Sequence, residues 1–192
     1  DSVKYISLSK EVQLTVEKAP LEVMVNGGLR PYGESNPEFV LVYDGFVNGD
    51  TVESLISKPF VQTSASELSE PGSYEVKILG GQSDNYEFSF KNGTLTVFKE
   101  APEIVWEVPE TIPYGTKLEE VYTAKAKMKG EAAEFQGTYK YTPEKTAILE
   151  VGEHTIKVIF EPANSTNFEP IRAERPVRVV PSKLQVVALD AE

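Results

Sequence analysis

The chain has 192 residues, 40% of them hydrophobic and 26% charged, with a net charge of −11 and no cysteine. That balance excludes wholesale disorder and a collagen-like chain, and the absence of a basic face excludes nucleic acid as a partner. Zero cysteine excludes disulfides, zinc–thiolate sites and thiol catalysis, and no apolar run reaches the ~18 residues of a membrane span.

The predicted elements are almost all strands. Tyr5 to Val16 reads as the last strand of an earlier repeat. Leu21, Val23 and Val25 recur at the odd spacing of a half-buried strand. Phe39, Leu41 and Tyr43 do the same until Gly45, which ends the strand or marks a bulge. Tyr74, Val76 and Ile78 alternate with Glu75 and Lys77. Tyr86, Phe88 and Phe90 lead into Asn92-Gly93, the dipeptide of a tight positive-φ hairpin, after which Leu95 and Val97 resume the pattern. Ile104 and Trp106 open the next alternation. Lys117 to Lys129 is rich in Glu, Ala and Lys, yet Leu118, Val121 and Tyr122 make a poor helical stripe, so it is predicted as a strand. Tyr139 and Tyr141 share a strand face, and His154, Ile156, Val158 and Phe160 form the last strong alternation before Val177 and Val179. Leu184 and Val186 begin another strand. No charged-then-apolar leader opens the sequence, so an export signal is expected to have been removed or to lie outside it.

These elements repeat. Pro31-Tyr32-Gly33 recurs as Pro113-Tyr114-Gly115, Asn85-Tyr86-Glu87 as Asn167-Phe168-Glu169, and Leu95-Thr96-Val97 as Val177-Arg178-Val179, each at an offset of 82. Gly72-Ser73-Tyr74 recurs as Gly152-Glu153-His154 at 80. Four matches in one order imply a duplicated unit. The expected organisation is residues 1–17 as the last strand of a preceding repeat, 18–99 and 100–181 as two whole repeats, and 182–192 as the start of a following one. Short strands with regular turns imply an all-β fold of two immunoglobulin-like β-sandwiches of about seven strands each, stabilised by Tyr74, Phe88, Phe90 and Trp106 in place of a disulfide. The link Lys99-Glu100-Ala101-Pro102 mirrors Glu17-Lys18-Ala19-Pro20, so the joint between repeats is expected to be semi-rigid and reused.

Little in the chain offers chemistry. No nucleophile elbow, phosphate loop or dinucleotide fingerprint occurs. The single histidine, His154, takes the slot of Tyr74 on an apolar face and reads as packing. Glu119 and Glu120, adjacent in one predicted strand, point to opposite faces and cannot flank one bond. Glu107 and Glu110 near Trp106 do not amount to a sugar site. Trp106 reads as core, and Tyr122, Tyr139 and Tyr141 as packing rather than a sugar platform. Calcium would find Asp44, Asn48 and Asp50 on one loop and Asp84 and Asn85 on another. Turn chemistry accounts for those residues without an ion, and only five of the 30 acidic residues are Asp. No cofactor, metal or catalytic residue is expected. Asn92-Gly93-Thr94 and Asn164-Ser165-Thr166 fit an N-glycosylation pattern, and Asp1-Ser2-Val3 and Asp50-Thr51-Val52 fit a short O-glycosylation signal.

From Tyr32 the sequence resembles a known family. Tyr32-Gly33-Glu34-Ser35-Asn36-Pro37, then Tyr43, Gly45-Phe46 and Gly49-Asp50, is similar to the opening of the MBG domain, YGX type, and Pro71-Gly72-Ser73-Tyr74 through Leu95-Thr96-Val97 to its closing half. Residues 102–180 resemble related bacterial Ig-like repeats through Trp106, Tyr114-Gly115 and Tyr139-Lys140-Tyr141, but Asn36-Pro37 and Gly45-Phe46 have no counterpart there. The resemblance implies structural roles for Tyr32, Gly33, Asn36, Pro37, Gly45, Gly49, Tyr114 and Gly115, and no catalytic residue. Physically, the glycine permits the turn and the tyrosine ring is expected to cap the sandwich end.

The expected function is a non-enzymatic, extracellular spacer or adhesin stalk on a bacterial surface, partnered by neighbouring repeats of its own chain. The alternatives are a module binding glycan or a host surface protein, and an accessory domain of a secreted polysaccharide-acting enzyme.

Overall fold

The computed structural model describes residues 9–183. The expected strand at Tyr5–Val16 falls partly outside them, and the one at Leu184 and Val186 falls outside them altogether. Residues 9–18 belong to no strand, and Val12, Leu14 and Val16 are exposed.

Among the described residues there are thirteen strands: β1 (Ala19–Val25), β2 (Gly28–Pro31), β3 (Leu41–Asp44), β4 (Ser57–Thr63), β5 (Gly72–Gln82), β6 (Tyr86–Lys91), β7 (Gly93–Phe98), β8 (Glu103–Val105), β9 (Thr111–Pro113), β10 (Lys125–Lys127), β11 (Gly137–Thr142), β12 (Gly152–Pro162) and β13 (Ile171–Val180). The first repeat builds a three-stranded sheet, β3-β1-β6, and a four-stranded sheet, β2-β7-β5-β4. The second builds β10-β8 and β11-β12-β13-β9. Read by corresponding strands, the four-stranded sheets have the same order in both repeats.

The alternations select the core. Leu21 and Val23 on β1, Val76 and Ile78 on β5, and Leu95 and Val97 on β7 are buried, while the residues between them are not fully covered. In the second repeat one cluster joins Trp106, Ile112, Leu118, Val121, Tyr122, Ala124, Leu149, Ile156, Val158, Val177 and Val179, with Ile104, Tyr139 and Tyr141 packed against it.

The structure departs from the sequence reading in three places. Asn92-Gly93 is not a hairpin. Strand β6 pairs with β1 in parallel, and β7 lies in the other sheet. The dipeptide turns the chain from sheet to sheet instead. Asn92 accepts from the Ile78 amide (3.0 Å) and donates to Glu75 (2.7 Å). A Cβ on Gly93 would come within 2.7 Å of the Asn26 carbonyl oxygen, so close backbone approach rather than positive φ selects glycine. Lys117–Lys129 is not one strand either. It forms a 3₁₀ turn over Leu118–Glu120 and then the short β10, so Glu119 and Glu120 share that turn rather than a strand. Phe90 leaves the predicted core: it stacks on Phe88 (5.8 Å) and is 42% exposed.

The second repeat also lacks a counterpart of β6. Pro170 stands where Phe88 stands in the first copy, and proline cannot donate to a ladder. The parallel pairing stops after the single Glu100–Phe168 bridge. From Ile171 the chain joins β12 in one long antiparallel hairpin.

The chain divides into two compact units. Among the described residues, one holds residues 9–28 together with Pro37–Ser64 and Tyr74–Leu95, and the other holds Leu29–Asn36, Ala65–Ser73 and residues 96–183. The Tyr-Gly turn of the first repeat falls in the second of these units.

Candidate functional site

The Tyr-Gly turn follows β2. Gly33 has φ +88°, where a side chain is strained, and Gly115 repeats it at +89°. Both turns hang from the last strand of their own repeat: the Tyr32 amide donates to the Phe98 carbonyl (2.8 Å), and the Tyr114 amide to that of Val180 (2.7 Å). The Gly33 amide donates to the Glu67 carbonyl (3.1 Å).

Arg30 anchors the first turn and is only 2% exposed. Its Nε donates to Asn36 Oδ1 (2.8 Å), one terminal nitrogen donates to the Pro31 carbonyl (3.0 Å), and the other donates to the Ser66 carbonyl. Asn36 in turn donates to the Ala65 carbonyl (2.8 Å). A buried charge held by neutral oxygens is costly to disturb. The sequence reading named Asn36 but missed Arg30; a lone cation at the inward position of β2 was the available signal. At the offset of 82 the same two positions hold Ile112 and Leu118, both buried in the second core. One repeat thus fills this place with a polar pair and the other with an apolar pair.

The Tyr32 ring is half-buried. It meets Phe168 of the second repeat edge-on, with centroids 5.5 Å apart. Phe168 is backed by Phe135 at 4.6 Å. Around this contact the link is hydrogen-bonded: Lys99 Nζ donates to the Ser165 carbonyl (2.7 Å), the Glu100 amide to Asn167 (3.0 Å), and the Glu169 amide to Glu100 (2.8 Å). Pro102 is buried just beyond. Backbone bonds, one cationic tether and an aromatic contact thus fix the joint.

Residues 21–96 match the family model of the MBG domain, YGX type. No curated protein matches the chain. Among solved structures it is similar to the N-terminal part of the bacterial S-layer protein SbsC, at 13% identity over 85% of this chain. The chain spans 44% of that structure's length, and the TM-score is 0.24.

The MBG-like segment gives its motif residues distinct places. Gly45 (φ +115°) ends β3 where a Cβ would lie 2.5 Å from the Pro20 carbonyl oxygen, and Gly49 (φ +81°) turns the next loop. Pro37 packs so near Gly28 that a Cβ there would be 2.6 Å away.

The calcium candidates divide. Asp50 and Asp84 line one cleft of about 450 Å³ with Asn48, Asn85, Tyr86, Val47 and Val16–Ala19, whereas Asp44 ends β3 outside it. Asp50 already accepts the Tyr86 hydroxyl (2.8 Å). Desolvation raises the Tyr86 phenol above its ordinary pKa, with Asp50 adding and the Val47 backbone opposing. Among the described residues no group of three or more His, Asp or Glu side chains could hold a metal.

The tyrosines weighed as a sugar platform pack together. Tyr122 and Tyr141 stack at 4.2 Å, and the Tyr122 hydroxyl donates to the Pro143 carbonyl (2.6 Å). Burial, with Tyr141 adding, pushes the Tyr122 phenol up to about 12. Trp106 is buried and donates to the Val121 carbonyl (3.0 Å). His154 is half-buried, its Nε2 2.7 Å from the Glu150 carbonyl oxygen.

Proposed function

We propose that this chain is a non-catalytic, extracellular repeat segment of a bacterial surface protein, acting as a spacer that holds other parts of its polypeptide away from the cell. The observation that carries this reading is the joint. A flexible tether would need a solvated Gly/Ser link, but here Lys99 to Pro102 is hydrogen-bonded to Ser165–Glu169 and braced by Tyr32 on Phe168. The packed state of Trp106, Tyr122 and Tyr141 supports a spacer over a sugar-binding face, which would present its rings to solvent. Among the described residues no helix is long and apolar enough to cross a membrane.

The reading is tested by a binding screen of the purified chain against mucin glycans, plant and host polysaccharides and matrix proteins, with and without calcium. The spacer account expects no saturable binding. A saturable hit that survives moderate salt would replace it with an adhesive function.

A further inference from the structure

Among the described residues, the joint between the repeats has a counterpart at the other end of the first repeat that no Tyr-Gly turn occupies. Lys18 Nζ donates to the Ser83 carbonyl (2.7 Å), as Lys99 does to that of Ser165. The Ala19 amide donates to Asn85 (2.9 Å), as that of Glu100 does to Asn167. Ala19 pairs in parallel with Tyr86, as Glu100 bridges in parallel to Phe168. Phe46 backs Tyr86 edge-on at 5.3 Å, as Phe135 backs Phe168. The two places differ in what covers them. Asn167, at the occupied joint, is 7% exposed, whereas Asn85 is exposed and opens on the cleft formed by Val16–Ala19, Val47–Asp50 and Asp84.

We infer that this cleft is the receiving half of an inter-repeat joint and takes the Tyr-Gly turn of a second copy of the repeat. The inference deepens the spacer reading and rests on it. The matching donor half is also present. The Tyr114-Gly115 turn has the backbone conformation and amide bond of the Tyr32-Gly33 turn, but Tyr114 is 44% exposed. Lys117, Glu119 and Lys145 line the pocket beside it, and Glu17, Lys18, Asp50 and Asp84 line the cleft, so the two ends carry net charges of opposite sign. When a separate molecule supplies the turn, its own Val180 takes the place of Glu17. Residues 9–17, which belong to no strand, then turn aside. Because donor and receiving surfaces differ, the contact is heterologous and propagates head to tail.

The chain has no cysteine, so Glu119→Cys, at an exposed position, accepts a single spin label beside the donor turn. Labelled protein is mixed with unlabelled, ¹⁵N-enriched protein at about 1 mM, where a contact with a Kd of that order is substantially populated. The expected result is broadening of the Val47, Asn48, Asp50 and Asn85 amides, lost when the labelled partner also carries Tyr114→Ala. Tyr114 is exposed, so that variant folds. No broadening at these amides, or broadening that Tyr114→Ala leaves unchanged, would overturn the inference. Either result stands apart from the spacer reading, which the ligand screen decides.

Discussion

Arg30→Ala is expected to destabilise the fold by about 2–4 kcal/mol, because it strips Asn36 and Ser66 of a charged donor inside a buried site. Asn36→Ala removes the Nε acceptor and the donor to Ala65, and is expected to cost about 1–3 kcal/mol. The informative variant is the double replacement Arg30→Ile with Asn36→Leu, which installs the residues that the second repeat carries at these positions. Replacing both members of a buried polar pair leaves fewer orphaned groups than replacing one. The double variant should therefore be more stable than the sum of its single changes predicts, by about 1–3 kcal/mol. Urea denaturation of the cycle measures this coupling. Additivity would show that the two side chains act independently.

Trp106→Ala should have the largest effect in the second repeat, about 3–5 kcal/mol. The indole fills the cluster with Tyr122 and Tyr141, and its N–H satisfies the Val121 carbonyl. Its own carbonyl takes the Arg175 guanidinium (3.2 Å). Against a domain stability of about 5–15 kcal/mol, a loss of that size removes much of the margin. Trp106→Phe keeps most of the volume and loses the N–H bond, so it should cost about 1–2 kcal/mol. Trp106 is the only tryptophan, so unfolding must be followed by circular dichroism. Equal losses for Ala and Phe would place the weight on the hydrogen bond rather than on packing.

The strand alternations were legible because burial selects them. Val76 with Ile78 and Ile156 with Val158 are inward, and their neighbours are not fully buried. The family motif was legible too, and its turn glycines have the positive φ that their place requires. Asn92-Gly93 misled because a dipeptide that suits a hairpin also suits a sheet-to-sheet corner; only the long-range partners Ile78, Glu75 and Asn26 distinguish the two. Lys117–Lys129 misled because its buried residues serve a turn and a short strand in succession, and a mixed period resembles neither. Arg30 was missed because alternation assigns inward places to apolar residues, while its acceptors come from two separate loops. The contact that the Tyr32 ring makes with the second repeat was not legible. Its partner, Phe168, lies 136 positions away, and no local pattern links them.

The central claim is that the joint is ordered and that Tyr32 helps to hold it. Native-state amide hydrogen exchange at Glu100 and Glu169 tests it most directly, since both amides donate across the joint. Both are expected to be protected in the unaltered chain. Tyr32→Ala should speed their exchange about 2- to 10-fold, the worth of one aromatic contact, while the β12–β13 ladder stays unchanged. Exchange of both amides at the rate of an open chain in the unaltered protein would contradict the account, because a joint that opens freely is a flexible tether rather than an ordered link.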